Sequence, residues 1–175
     1  VYEEDSLVAI QGTFQDITER KERERRLRRV GERFERFANN VQDAFFVLST
    51  DYSETEYVNP AVERIYGVTP EEANDDPMAW LRHVHPEDED ELLADVAAQQ
   101  NGSVEWPIEQ EFRIDHPDRG VRWVQAWLNT IPDENGDPSR LAGITTAITD
   151  RKQREESLNA LLEVTRESMN AQSKQ

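Results

Sequence analysis

The stretch Gly143-Ile-Thr-Thr-Ala-Ile-Thr-Asp-Arg-Lys152 has a near copy earlier in the same 175-residue chain, Gly12-Thr-Phe-Gln-Asp-Ile-Thr-Glu-Arg-Lys21. Arg23, Glu24 and Leu27 recur at the same offset as Arg154, Glu155 and Leu158. The interval between the copies exceeds solenoid periods and fits a tandem array of small domains. Residues 1–18 are therefore expected to be the last strand of a preceding module and 19–33 a linker helix. One domain is expected over 34–150, and an exit linker helix toward a following domain over 151–175.

Between the copies, strands are predicted at about Ala44 to Thr50 and through Tyr57 and Val58, with Asp51, Ser53 and Glu54 in the turn. Asn59-Pro60 reads as a cap and first helical position ahead of Ala61, Val62, Ile65 and Tyr66, with Gly67 closing that helix. Thr69-Pro-Glu-Glu72 starts another with a capping box, and Pro86-Glu-Asp88 opens a helix carrying Leu92, Leu93 and Val96 as far as Asn101-Gly102. A three-strand antiparallel meander follows, from Glu109 to Asp115, Val121 to Ile131 and Arg140 to Thr149. Its connections, His116-Pro-Asp-Arg-Gly120 and Pro132-Asp-Glu-Asn-Gly-Asp-Pro138, are dense in turn residues. The class is α+β.

These residues resemble the PAS sensor domains whose C-terminal half is the PAC motif. The likeness covers about Glu32 to Lys152. It rests on the order and spacing of Glu32-Arg-Phe34, Tyr57-Val-Asn-Pro-Ala61, Ile65-Tyr-Gly67, Thr69-Pro-Glu-Glu72, His85-Pro-Glu-Asp88, Glu111-Phe-Arg-Ile114, Arg122-Trp-Val124, Asp133-Glu-Asn-Gly136 and Ile148-Thr-Asp-Arg-Lys152. It implies a PAS-like five-stranded antiparallel sheet with helices on one face around a small pocket, flanked by coiled-coil-type linker helices. It also implies a role in signal transduction, sensing a ligand or transmitting between coiled coils. The segment from Leu158 to Met169 is similar to the helix preceding GAF domains in haloarchaeal regulators of the bacterio-opsin-activator type and in related sensor histidine kinases. One departure stands out: the family's last strand usually ends Asp-Ile-Thr, as at Asp16-Ile-Thr18, whereas this domain has Ala147-Ile-Thr149. A carboxylate relay at that position is not expected here. Ile148, Thr149 and Asp150 mark the signal exit, with the Thr149 hydroxyl able to cap the exit helix.

Net charge is −17, and of 20 basic residues only 3 are Lys. In molar salt the Debye length shrinks to about 3 Å, which screens the self-repulsion of so acidic a surface. Salt adaptation of a halophilic protein is the expected reading, since the acidic residues are spread over the chain. Apolar runs such as Phe45-Phe-Val-Leu48 are far shorter than the ~18 residues of a membrane span, so a cytoplasmic fragment that meets no membrane is expected. Absence of cysteine excludes a disulfide and a cysteinyl cofactor adduct.

The exception to the acidity runs from Glu19 to Arg36, where nine Lys or Arg face five Glu. Leu27, Val30, Phe34, Phe37 and Val41 step by 3 and 4 residues there, a seam that implies a partner helix and hence a homodimer. Leu158, Leu161 and Thr165 repeat the spacing. Gly31 is a plausible flex point. Interleaved Glu favours an ion-paired helix over nucleic-acid binding. In the meander, Trp123, Gln125 and Trp127 share one face of a strand, and Val124, Ala126 and Leu128 the other. Both faces are too apolar for water; Phe34 and Phe37 are the expected cover of the two Trp, with a dimer through the same patch as the rival.

Following the resemblance, the expected pocket liners are Val62, Tyr66, Trp80, Phe112, Val124, Ala126, Leu128 and Thr145. No cofactor is required. A heme would have to use His83, His85 or His116, none on a recognisable heme helix. Flavin is disfavoured because Val124 stands where related flavin-binding domains place a polar contact. His83 and His85 with Glu87, Asp88 and Asp90 can be drawn as a metal site, but Pro86 with acidic residues behind it reads more simply as a helix start, and no metal is expected. His116 is expected to be solvated in its turn. With no nucleophile–base pair, phosphate loop or kinase signature, the fragment is not expected to be an enzyme. Two readings remain: a regulatory sensor module relaying through its linker helices to adjacent PAS and output domains, or a ligand-free dimerisation spacer. A cavity above about 300 Å³ favours the first and a packed core the second.

Overall fold

The computed structural model describes the backbone of residues 18–172 and the side chains of residues 20–163. Residues 1–17 of the strand expected over 1–18 lie outside the described residues, as does the seam side chain of Thr165, while Thr18 already begins a helix. The chain divides into two units, Val1–Arg36 and Phe37–Gln175.

In the first unit lies most of α1 (Thr18–Asn40). Helix-spaced ion pairs, Arg20–Glu24 and Arg28–Glu32, both at 3.1 Å, run along its surface. The helix passes through Gly31 unbroken and continues to Asn40, beyond the expected linker. Leu27, Val30 and Phe34 are all more than half exposed on it.

The second unit is built on a five-stranded antiparallel sheet of β1 (Ala44–Ser49), β2 (Thr55–Val58), β3 (Ile108–His116), β4 (Gly120–Pro132) and β5 (Pro138–Ala147). Their order across the sheet is β2-β1-β5-β4-β3. The expected alternation holds on β4: Val124, Ala126 and Leu128 are buried, while Trp123 and Gln125 are half-buried and Trp127 is exposed. Helices α2 (Ala61–Tyr66) and α4 (Pro86–Gln100) and a 3-10 segment at Ala79–His83 add buried residues to the core, while α3 (Pro70–Asp75) packs against it through the partly buried Ala73. Val62, Ile65, Tyr66, Leu92 and Val96 from these helices pack with Phe112, Ile114, Val124 and Leu141 from the sheet.

Caps explain where these short helices begin and end. Thr69 and Glu72 close a reciprocal capping box on α3. Gly67 terminates α2 at φ +73°, and a Cβ there would lie 2.4 Å from Pro117 Cδ, so both conformation and space demand glycine. Asn59 corrects the sequence expectation. Its side chain does not cap α2; fully buried, it accepts from Phe45 N–H (2.9 Å) and donates to the carbonyls of Ala38 (2.9 Å) and Asp43 (3.0 Å). One amide thereby satisfies three backbone groups where α1 turns into β1.

β5 ends at Ala147, two residues before the sequence expectation, because the chain turns into α5 (Thr149–Gln172). Ile148 N–H still donates to Trp123 O (2.8 Å), and its carbonyl then accepts from Lys152 N–H (3.0 Å) to start the helix. His116 is the other correction: it is buried, not solvated. Its Nδ1 accepts from Asp118 N–H (3.2 Å), which leaves the proton on Nε2 to donate to Glu63 O (3.1 Å).

Candidate functional site

Two places in the second unit bear on function: a cavity inside the helical layer, and the outer sheet face where α5 departs.

The cavity measures about 50 Å³. Six of the eight expected liners surround it, namely Val62, Tyr66, Trp80, Phe112, Ala126 and Leu128. Trp80 stands between Tyr66 and Phe112 with 5.9 Å between centroids on each side, so three tilted rings fill the space. Val124 and Thr145 do not line it. Val124 is fully buried nearer the sheet end, opposite Ala147, and borders a separate cleft. Thr145 lies behind Tyr66, its hydroxyl 2.8 Å from the phenol, and burial pushes that phenol's pKa well above its ordinary range.

Other liners escaped the sequence reading. Phe46 and Leu48 come from β1, Tyr52 from the turn after it, and Gln99 from the last turn of α4. Tyr52 adopts a left-handed backbone (φ 60°) and its hydroxyl bonds Gln99 Oε1. Gln110 also lines the cavity, and its Oε1 is buried with no hydrogen-bond partner among the described residues. The dense turn chemistry at Asp51 and Ser53 was the available signal for Tyr52. The Ser53 hydroxyl and other turn donors hold the Asp51 carboxyl down at about 2.

A cofactor fits this space poorly. Pockets that hold drug-sized ligands run to roughly 300–1,000 Å³, and no histidine is among the residues around the cavity. Of the histidines, His85 uses Nδ1 to accept from Glu87 N–H (3.3 Å) at the start of α4. Burial, followed by the positive charge of Arg82, holds the His83 imidazole below its usual pKa. No metal-sized cluster of His, Asp and Glu occurs among the described residues, and no described helix is long and apolar enough to cross a membrane.

On the outer face, Phe37 is 65% and Trp127 41% exposed. Cations cover Trp123: Lys152 Nζ lies 4.9 Å and Arg113 Cζ 5.5 Å from its ring centroid. The physical reason is register. Arg113 is the cross-strand partner of Trp123, and the first turn of α5 brings Lys152 over the same ring.

Both cations have carboxylate partners. Lys152 Nζ pairs with Glu111 Oε2 at 2.5 Å, and Arg151 pairs with the other oxygen of the same carboxylate. These bonds, with Lys152 first, hold the Glu111 pKa below its ordinary value of 4.5. Arg113 reaches the other way, forking onto Asp88 at 2.5 and 3.0 Å and pairing with Glu87 at 2.9 Å, both in the first turn of α4.

Thr149 completes the junction and overturns the expectation that it caps α5. Its hydroxyl accepts from Trp123 N–H (3.0 Å) and faces Trp123 O (3.4 Å), tying the helix start to β4. Ile148 is buried beneath, while Asp150 is exposed. A continuous series of contacts thus joins α4, which borders the cavity through Val96 and Gln99, to α5 through Arg113, Trp123 and Lys152.

The architecture and the family comparison agree. A family model described as PAS fold matches residues 55–145, just over half of the chain, and the chain belongs to that family. Among solved structures it is similar to the PAS domain of an HTR-like protein from Haloarcula marismortui, at 24% identity and a TM-score of 0.54 over 73% of this chain and 99% of that one. It is also similar to a sensory box histidine kinase/response regulator from Burkholderia thailandensis E264, at 23% identity and a TM-score of 0.56 over 77% and 98% of the two chains. A third similar structure is the N-terminal domain of a diguanylate cyclase with PAS/PAC sensor from Marinobacter aquaeolei, with 20% identity, a TM-score of 0.54, and 63% and 98% covered. At these identities the likeness concerns the fold. No curated protein matches the chain.

Proposed function

We propose that this chain is a sensory-regulatory module of a signal-transduction protein that relays conformational state through its linker helices, with no resident cofactor. The observation that carries this reading is the attachment of α5. Its first turn is held by Thr149 on the β4 backbone, by Lys152 over Trp123, and by Arg151 and Lys152 on Glu111. A shift of β3 against β4 moves these anchors and reorients the helix. Leu158, Leu161 and Leu162 farther along α5 are 60–67% exposed, which supports a helical partner and a homodimer. Adjacent PAS and output domains of a longer chain, a histidine kinase or transcription regulator, would receive the motion. The net charge of −17 supports a halophilic setting.

The test uses the absence of native cysteine. Spin labels at Glu134→Cys and Asn159→Cys report the distance between the sheet and α5, with and without Glu111→Gln. The relay reading expects a shifted or broadened distribution in the variant; an unchanged one overturns it. The second reading, a ligand-free dimerisation spacer, is favoured by the small, ring-filled cavity. It expects that unchanged distribution together with a dimer that Leu158→Glu and Leu161→Glu dissociate in sedimentation equilibrium.

A further inference from the structure

At the end of the sheet's inner face, next to the start of α5, lies a second concavity of about 270 Å³. Three arginines line it: Arg64 from α2, Arg119 from the β3–β4 turn and Arg122 from β4. In a chain with 37 acidic and 20 basic residues, Arg82, Arg113, Arg140 and Arg151 all find carboxylate partners. Among the described residues Arg64, Arg119 and Arg122 find none. Arg64 donates only to Val41 O (2.9 Å). Asp43 and Asp150 line the same cleft, and among the described residues neither forms an ion pair with these arginines.

The sequence repeat shows which group is missing. Ala147, exposed in this cleft, corresponds to Asp16 of the earlier copy. Its cross-strand partner is Val124, so Arg122, two residues along β4, shares its face and stands diagonal to it, a separation that an arginine spans. A carboxylate carried at position 147 would meet Arg122. The alanine methyl leaves that position open beside two further guanidinium groups.

We infer that the cleft binds a small free carboxylate, which takes the place of the side-chain carboxylate absent at Ala147. The guanidinium plane of Arg122 matches a carboxylate in two parallel hydrogen bonds, with Arg119 and Arg64 adding charge from the rim. Because α2, β4 and the first turn of α5 all border the cleft, occupancy fastens α5 more firmly to the domain.

Thermal unfolding of the full chain at matched ionic strength, in sodium chloride, acetate, succinate or phosphate, tests this. Acetate also stabilises proteins generally, so the variants carry the decision. The expected result is a saturable rise of the midpoint in acetate or succinate over chloride. That rise disappears in Ala147→Asp, whose own carboxylate fills the place, and in Arg122→Gln. Equal midpoints in chloride and carboxylate overturn the inference, as does a rise that persists in Ala147→Asp, or a saturable rise with phosphate alone. Should Arg122→Gln fail to fold, Ala147→Asp together with Arg119→Gln decides the same question.

Discussion

Lys152 and Trp123 come from the first turn of one helix and the first part of one strand, yet the Lys152 ammonium lies 4.9 Å from the indole centroid, with Arg113 5.5 Å from the same ring. Trp123→Ala removes the surface on which both cations rest and is expected to cost about 2 kcal/mol by chemical denaturation. Lys152→Met keeps the packing of the aliphatic stem and removes the charge, so it should cost less, about 1 kcal/mol. Amide hydrogen exchange should report the loss first at the start of α5. Equal protection there in Trp123→Ala and the parent would count against the junction as the anchor.

Acid should release the same junction. Bonds to Lys152 and Arg151 hold the Glu111 pKa below 4.5, so its stabilising contribution is complete above that value and lost as pH falls through the lowered folded-state pKa. Asp88 behaves alike, its carboxyl held down first by the Arg113 side chain. Thermal midpoints of the parent and Glu111→Gln should differ by a constant amount above about pH 5 and converge as the pH falls through the lowered folded-state pKa of Glu111. A difference that persists unchanged in acid would show that Glu111 acts through packing and not through charge.

The sheet was legible in the sequence because one face of β4 is apolar and small while the other carries Trp123 and Trp127, a period that only a strand explains. What escaped was side-chain destination. Asn59-Pro60 and Thr149 both look like local caps, but their side chains bond backbone groups far away in sequence, Asn59 to Ala38, Asp43 and Phe45, and Thr149 to Trp123. Likewise Tyr52 meets Gln99 across 47 positions, a contact with no periodic trace in the chain. Local propensity says what a residue can do nearby; tertiary packing decides whether it does so.

Asn59 offers the sharpest stability test of that kind. Its amide serves one backbone donor and two backbone acceptors in a site with no solvent exposure. Asn59→Ala leaves Phe45 N–H and Asp43 O without this partner, and Ala38 O with only its bond from Val41 N–H (3.4 Å), and is expected to cost about 3 kcal/mol in urea unfolding. Asn59→Asp preserves shape but brings a carboxylate against two carbonyl oxygens, so at neutral pH it should cost at least as much and recover partly on acidification as the carboxyl gains a proton. A near-neutral effect of either substitution would mean that the link from α1 to β1 holds without this side chain.

Gly143 tests whether the packing between β1 and β5 controls the cavity. It pairs with Phe46 across the two strands, and a Cβ at Gly143 would stand 2.2 Å from Phe46 Cζ and 2.4 Å from Cε2. No small adjustment relieves so close an approach, so Gly143→Ala must swing the Phe46 ring, which itself lines the cavity. The expected cost is about 2 kcal/mol. Phe46→Leu alone deletes buried surface and should also destabilise, but the shorter side chain makes room for the new methyl. The double variant should therefore be more stable than the sum of the two single losses allows, a coupling of about 1 kcal/mol in a double-mutant cycle. Strict additivity would place the clash elsewhere, because two residues in direct steric conflict cannot act independently.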